Sequence, residues 1–168
     1  MENEWYIFYT YPRAEKNVLN ELCKRDYNAF LPLIKSTKVW SNRQKKTTYK
    51  ALFPNYIFVN TCLSQVYRIL DIPQISTFVK TDGKPSTIKQ VEIEAIKKMI
   101  SLEGDLQLNV DYEAGEPVKV INGPLSGYEG LLIKKNGKTK FGIRLNEINQ
   151  SILVEIDIKD IRKKNVEL

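Results

Sequence analysis

Side chains able to do covalent or metal chemistry are scarce in this sequence. None of its 168 residues is histidine, which removes the commonest general base and the commonest metal ligand together. Cys23 and Cys62 stand far apart, with neither metal-ligand nor C-x-x-C spacing, and read as small core residues. No dinucleotide-binding, P-loop or nucleophile-elbow glycine pattern occurs. Carboxylate pairs such as Glu92/Glu94 and Asp157/Asp160 sit where solvated helix or strand edges are expected, and a chain with 20 acids contains such pairs by chance. These absences argue against an enzyme and call for no cofactor or metal. Cations and aromatics are plentiful instead: 26 Lys and Arg against 20 Asp and Glu, a net charge of +6, with nine Tyr, six Phe and two Trp. Their chemistry is non-covalent, attraction to a polyanion and the burial or stacking of rings at a partner.

Two adjacent segments concentrate these side chains. From Lys35 to Lys50 there are six bases (Lys35, Lys38, Arg43, Lys45, Lys46 and Lys50) and no acid, set around Val39-Trp40 and Thr47-Thr48-Tyr49. The pattern reads as a β-hairpin with a basic tip. Leu52-Phe53-Pro54-Asn55-Tyr56-Ile57-Phe58-Val59 follows at once and is apolar on both faces of what should be a strand. Such a strand is either covered on both sides or keeps one face for a partner. Pro54 and Asn55 make a tight approach that fixes where Tyr56 and Phe58 point.

The elements that must position these groups follow from period and punctuation. Trp5-Tyr6-Ile7-Phe8-Tyr9 reads as a first strand, stopped by Pro12. From Arg13 the period changes, and Ala14, Val18, Leu22 and Arg25, widened by Leu19 and Cys23, mark an amphipathic helix. Ala29–Ile34 reads as a second strand, Gln65–Asp71 as a short helix, Ser76–Lys80 as a strand, Thr81–Pro85 as a turn and Val91–Ile100 as a longer helix. Strands with helices packed on one sheet make an α+β sandwich. Residues 101–114 then hold four acids and no base, a composition that reads as a linker. Beyond it, Pro117–Asn122, Leu131–Lys134, Lys140–Leu145 and Ile152–Ile156 are short β-rich runs separated by turn signals such as Asn122-Gly123-Pro124, Asn136-Gly137 and Asn146, a pattern that predicts a small closed barrel. The expected organisation is residues 1–101 as one domain, 102–114 as an acidic tether and 115–168 as the barrel. Apolar runs fall far short of the roughly 20 residues that span a bilayer, and Met1-Glu2-Asn3-Glu4-Trp5 does not open like a signal peptide, so the expected location is the cytoplasm.

Several of these segments are familiar together. Trp5-Tyr6 opening a strand, the helix after it, Phe53-Pro54-Asn55-Tyr56-Ile57-Phe58-Val59, Phe78-Val79, Gly83-x-Pro85 and the helix that follows resemble the amino-terminal domain of the NusG family of transcription elongation factors. Asn122-Gly123-Pro124-Leu125-Ser126-Gly127-Tyr128-Glu129-Gly130 resembles the KOW motif that opens the SH3-like barrel of that family. The likeness runs from Trp5 to Lys163. Asn55 stands where general members commonly carry glycine, and Phe-Pro-Asn-Tyr is more like the specialised paralogues of the RfaH and UpxY type, operon-specific antiterminators of long gene clusters such as polysaccharide loci.

The resemblance implies partners and sites. An apolar groove on the first domain would grip the clamp helices of RNA polymerase, with Ile7, Tyr9, Phe53, Tyr56 and Phe58 as the matching exposed residues; taken singly, Ile7 reads more readily as core than as contact, and Phe53 reads equally as either. The non-template DNA strand would meet Arg13, Lys16 and Lys24 along the first helix and Arg43, Lys45 and Lys46 at the hairpin tip. A solvated basic face is the plainer reading of each, and the tip can instead meet the polymerase lobe opposite the clamp. The barrel would meet a small-subunit ribosomal protein through the region of Leu125. Because Leu125 replaces the phenylalanine common in general members, binding to Rho is not expected. The β-branched runs and glycines of this region oppose refolding into a helical hairpin. A ribosome-associated KOW module is the rival; it accounts for the charge and the barrel but not for the two-faced apolar strand.

Overall fold

The computed structural model describes residues 2–39, 41–102, 106–109, 115–135 and 137–164, in two compact units, Met1–Gln90 and Val91–Leu168. In the first, the aromatic and β-branched run Glu4–Thr10 forms β1, the hub of an antiparallel sheet. After it come α1 (Glu15–Lys24), β2 (Asn28–Phe30), β3 (Leu33–Val39), β4 (Lys45–Ala51), β5 (Tyr56–Thr61), α2 (Leu63–Ile69), β6 (Ile75–Phe78), β7 (Lys80–Thr81), β8 (Lys84–Pro85) and β9 (Thr87–Ile88). The sheet runs β2-β5-β1-β6, with β9 also paired to β1, while β3 and β4 form a separate two-stranded ribbon. Side chains alternate across a strand, so Tyr6 and Phe8 of β1 and Ile57 and Val59 of β5 share one face. That face is covered by Ala14, Val18 and Leu22 of the α1 region and by Val66 and Ile69 of α2. Each such side chain contributes about 1.5–3 kcal/mol by leaving water, and this layer is the main core of the unit.

Three local expectations are corrected. The strand expected over Ala29–Ile34 is broken at Leu31-Pro32, because a proline without an N–H cannot continue the ladder; its carbonyl instead accepts from Leu52 N at 2.8 Å. Cys23 is exposed and Cys62 half-buried, so neither is a core residue. Cys23 and Arg25 lie outside the buried stripe of α1, which Ala14, Val18 and Leu22 form with half-buried Leu19 packed against the same core, as expected.

In the second unit, α3 (Gln90–Ser101) buries Ile93, Ala95, Ile96 and Met99. Then β10 (Gln107–Asn109), β11 (Glu116–Val120), β12 (Glu129–Lys135), β13 (Lys138–Leu145), β14 (Gln150–Glu155) and β15 (Ile161–Lys163) form one antiparallel sheet in the order β10-β14-β13-β12-β11-β15. It wraps Val118, Val120, Ile133, Phe141, Leu145 and Ile152 into a core. These ladders give the strands of the small barrel expected from the sequence. Gln107–Asn109, read in the sequence as tether, pair with Ser151–Leu153; residues 103–105 and 110–114 of that segment lie outside the described residues. The motif Asn122–Gly130 joins β11 to β12: Gly127 takes φ +92° and donates to the Val120 carbonyl at 2.8 Å, and a Cβ on Gly130 would fall 2.4 Å from the Gly142 carbonyl oxygen. Leu125 in this turn is buried, which corrects its expected role as a presented contact. Among the described residues no helix is long and apolar enough to cross a membrane.

Candidate functional site

The face of the first sheet opposite α1 and α2 gathers the predicted contact residues. Register sets Ile7 against Phe58 and Tyr9 against Tyr56, and Phe53 meets Phe58 edge-on at 6.0 Å. Accessibility separates them. Ile7, Phe53 and Phe58 have no exposed surface, so they are not the exposed contacts expected of them. The physical reason is a row of rings along this face, Trp5–Phe30 at 6.4 Å, Phe30–Phe58 at 6.2 Å and Phe58–Phe53 at 6.0 Å, which fills its interior with aromatic packing. Tyr9, 36% exposed, and half-buried Tyr56 remain at the rim. Their rings are T-shaped at 5.3 Å, and the Tyr56 phenol is pushed above its ordinary value by burial, with Tyr9 adding to it.

The turn into β5 sets this pair. Asn55 has φ +70°, the left-handed conformation that asparagine tolerates better than most residues. Its backbone N–H donates to Glu15 Oε1 at 2.8 Å, its carbonyl accepts from Thr10 N at 2.7 Å, and its side-chain amide reaches the Tyr9 hydroxyl at 3.4 Å.

The predicted cations fall into separate groups. Arg13 occupies the turn before α1 with φ +64° and is exposed. Lys16 donates to the Tyr49 carbonyl at 2.6 Å, tying α1 to β4. Lys24 lies at the other end of α1, about 12 Å from Lys16 at the helical rise, and pairs with Glu21 at 2.8 Å; that hydrogen bond and charge hold the Glu21 carboxyl below its ordinary value. Arg43, with φ +61°, sits in the turn of the ribbon. Lys45 and Lys46 stand beside it, about 14 Å and about 10 Å beyond Tyr49 along β4 at the strand rise, on opposite faces of the ribbon. Lys38 lies directly across from Lys46, a like-charge pairing that costs stability unless an anion intervenes.

Two features lay outside the sequence reading. On the Lys45 face of the ribbon, Tyr49 is 55% exposed opposite Lys35. On α2, Tyr67 is 59% exposed and packs edge-on against Phe78 at 5.5 Å, and Lys80 Nζ lies 5.1 Å from that ring's centre. Phe78 was singled out in the sequence by the Phe78-Val79 pair; nothing there marked Tyr67 as outward. In the barrel, exposed Ile158 lines a groove of about 530 Å³ with Leu132, Lys134 and Ile161. No group of three acids or cysteines able to hold a metal occurs among the described residues.

An antiparallel sandwich with an aromatic-rimmed sheet face and a basic ribbon, followed by a small barrel opened by a KOW turn, defines a two-part KOW-type protein. The family described as "Transcription termination factor nusG" matches residues 3–97, and the chain belongs to the NusG family. Among its relatives, the transcription termination/antitermination protein NusG of Halalkalibacterium halodurans is 26% identical over 178 residues, covering 97% of this chain and 99% of that protein. The protein of that name from Bacillus subtilis is 28% identical over 178 residues, with coverage of 97% and 99%. The solved structure of Thermotoga maritima NusG shares the fold, with a TM-score of 0.55 at 19% identity over 99% of each chain. The α+β fold expected from the sequence is the one found.

Proposed function

We propose that this protein is a transcription elongation and antitermination factor whose amino-terminal unit, Met1–Gln90 rather than the expected 1–101, holds the clamp helices of RNA polymerase and suppresses pausing. The single observation that carries the reading is the Tyr9/Tyr56 pair, accessible rings on the sheet face where Ile7 and Phe58, the next register pair on that face, are buried. Anchors of this kind bury much area at little entropic cost.

The ribbon supplies the second contact. Six bases without an acid over Lys35–Lys50, with Lys38 facing Lys46, favour a polyanion, and the exposed non-template strand of the transcription bubble is the partner we assign, met by Arg13, Arg43, Lys45 and Lys46. The left-handed Asn55 supports the specialised branch of the family, since asparagine there does the conformational work of glycine while offering its amide to Tyr9. The reading is therefore an operon-specific antiterminator of long clusters rather than a housekeeping NusG, with the barrel reaching a small-subunit ribosomal protein and not Rho. The test is co-purification: the full chain should retain RNA polymerase core enzyme, and retention of ribosomes alone would replace this reading by the ribosomal one.

A further inference from the structure

Glu15 is a buried acid that touches none of the surfaces assigned to a partner. It is the first residue of α1, its side chain is nine-tenths buried, and no cation pairs with it within salt-bridge distance among the described residues. An unpaired buried carboxylate is costly unless hydrogen bonds and a favourable field hold it. Two features do so here. The carboxylate sits in the first turn of α1, where free backbone N–H groups favour negative charge, and Oε1 accepts the Asn55 backbone N–H at 2.8 Å. Asn55 is the residue in the left-handed conformation, and its carbonyl is held from the other side by Thr10 N. The side chain after it in the chain is Tyr56; the side chain its own amide touches is Tyr9.

We propose that Glu15 is a positioning residue for the Tyr9/Tyr56 pair: its carboxylate locks Asn55 in the left-handed state, and that state sets Tyr56 against Tyr9. The inference rests on the polymerase reading for its consequence but not for its geometry. Without the acceptor, the Asn55 N–H is left unpaired in a half-buried turn, the cost of the strained φ is no longer offset, and the turn relaxes toward conformations in which Tyr56 leaves the rim. Helix α1 thereby sets a surface that it does not itself form.

The experiment uses the full chain in three forms, Glu15→Ala, Glu15→Gln and Glu15→Ala/Tyr56→Ala, and two readouts. Nuclear Overhauser contacts between the Tyr9 and Tyr56 rings should weaken in Glu15→Ala and persist in Glu15→Gln, which keeps a side-chain oxygen as acceptor. Affinity for RNA polymerase core enzyme should fall roughly five- to tenfold in Glu15→Ala, in keeping with one buried amide losing its acceptor. In the Tyr56→Ala background the same substitution should cost almost nothing more. Unchanged ring contacts in a folded Glu15→Ala protein overturn the proposal, and so does an equal affinity loss with and without Tyr56. If the wild-type chain does not bind polymerase, the polymerase reading fails and the ring contacts still decide the role of Glu15.

Discussion

Truncating Tyr56 separates an anchor from a core residue. The ring is half-buried and shares one T-shaped contact, at 5.3 Å, with Tyr9. Losing half the burial of a large side chain costs about 1 kcal/mol, and losing one aromatic pair costs about 0.5–1.5 kcal/mol. The sum for Tyr56→Ala is about 1.5–2.5 kcal/mol, which a domain of ordinary stability, about 5–15 kcal/mol, survives. Phe58 is different. It has no exposed surface and touches both Phe30 and Phe53, so Phe58→Ala should cost about 3–5 kcal/mol and take the domain close to unfolding. Binding should show the reverse emphasis: an interface anchor is worth about 1–3 kcal/mol, so Tyr56→Ala should weaken polymerase binding roughly 5- to 150-fold while remaining folded. Urea titration and competition for polymerase core enzyme, both on the full chain, read the two quantities. Normal binding by a folded Tyr56→Ala protein refutes the anchor assignment, and a stability loss equal to that of Phe58→Ala refutes the rim placement on which it depends.

Binding to single-stranded DNA should weaken with salt, and Arg13→Gln or Lys45→Gln should each flatten the log–log slope by about 0.7; Lys16→Gln and Lys24→Gln should change it less, because those ammonium groups are held by the Tyr49 carbonyl and Glu21. Arg43→Gly should relieve about 1 kcal/mol of left-handed strain, so thermal stability should hold or rise while affinity for the same strand falls; a parallel loss of both would show that the arginine is structural. In the barrel, hydrogen bonding and charge from Lys163 and Lys164 hold the Glu116 and Glu129 carboxyls below their ordinary value of 4.5. Such depressed carboxyls add stability above pH 4.5 that is lost as the pH falls through their folded values, so the protection factors at Ile161–Lys163, which correct for the intrinsic slowing of amide exchange in acid, should fall slightly on acidification, and Lys163→Gln/Lys164→Gln should remove that fall.

The core of the first domain was legible because it is periodic. Ala14, Val18 and Leu22 announce the buried stripe of α1 in the sequence, and the Asn-Gly-Pro turn announces the β11–β12 connection. The apolar strand was legible as two-faced, yet which of its residues keeps solvent was not. That depends on neighbours distant in sequence: Phe30 packs against Phe58, while Tyr56 is left at the rim by a turn whose acceptor, Glu15, lies forty residues earlier. Leu125 was expected as a contact only because the resemblance implied it, and the side chain is buried. Charge misled for a similar reason. Arg13, Lys16 and Lys24 read as one basic face, whereas the positions of Tyr49 and Glu21 occupy two of the three.

A single-round elongation assay with purified RNA polymerase and Rho, across a template carrying pause sites and a Rho-dependent terminator, tests the central claim most directly. The full chain should shorten pauses and increase read-through, and Tyr9→Ala/Tyr56→Ala should abolish both effects. Increased termination by the full chain would contradict the antiterminator reading and favour a general NusG, and equal activity of the double variant would contradict the surface assigned to polymerase.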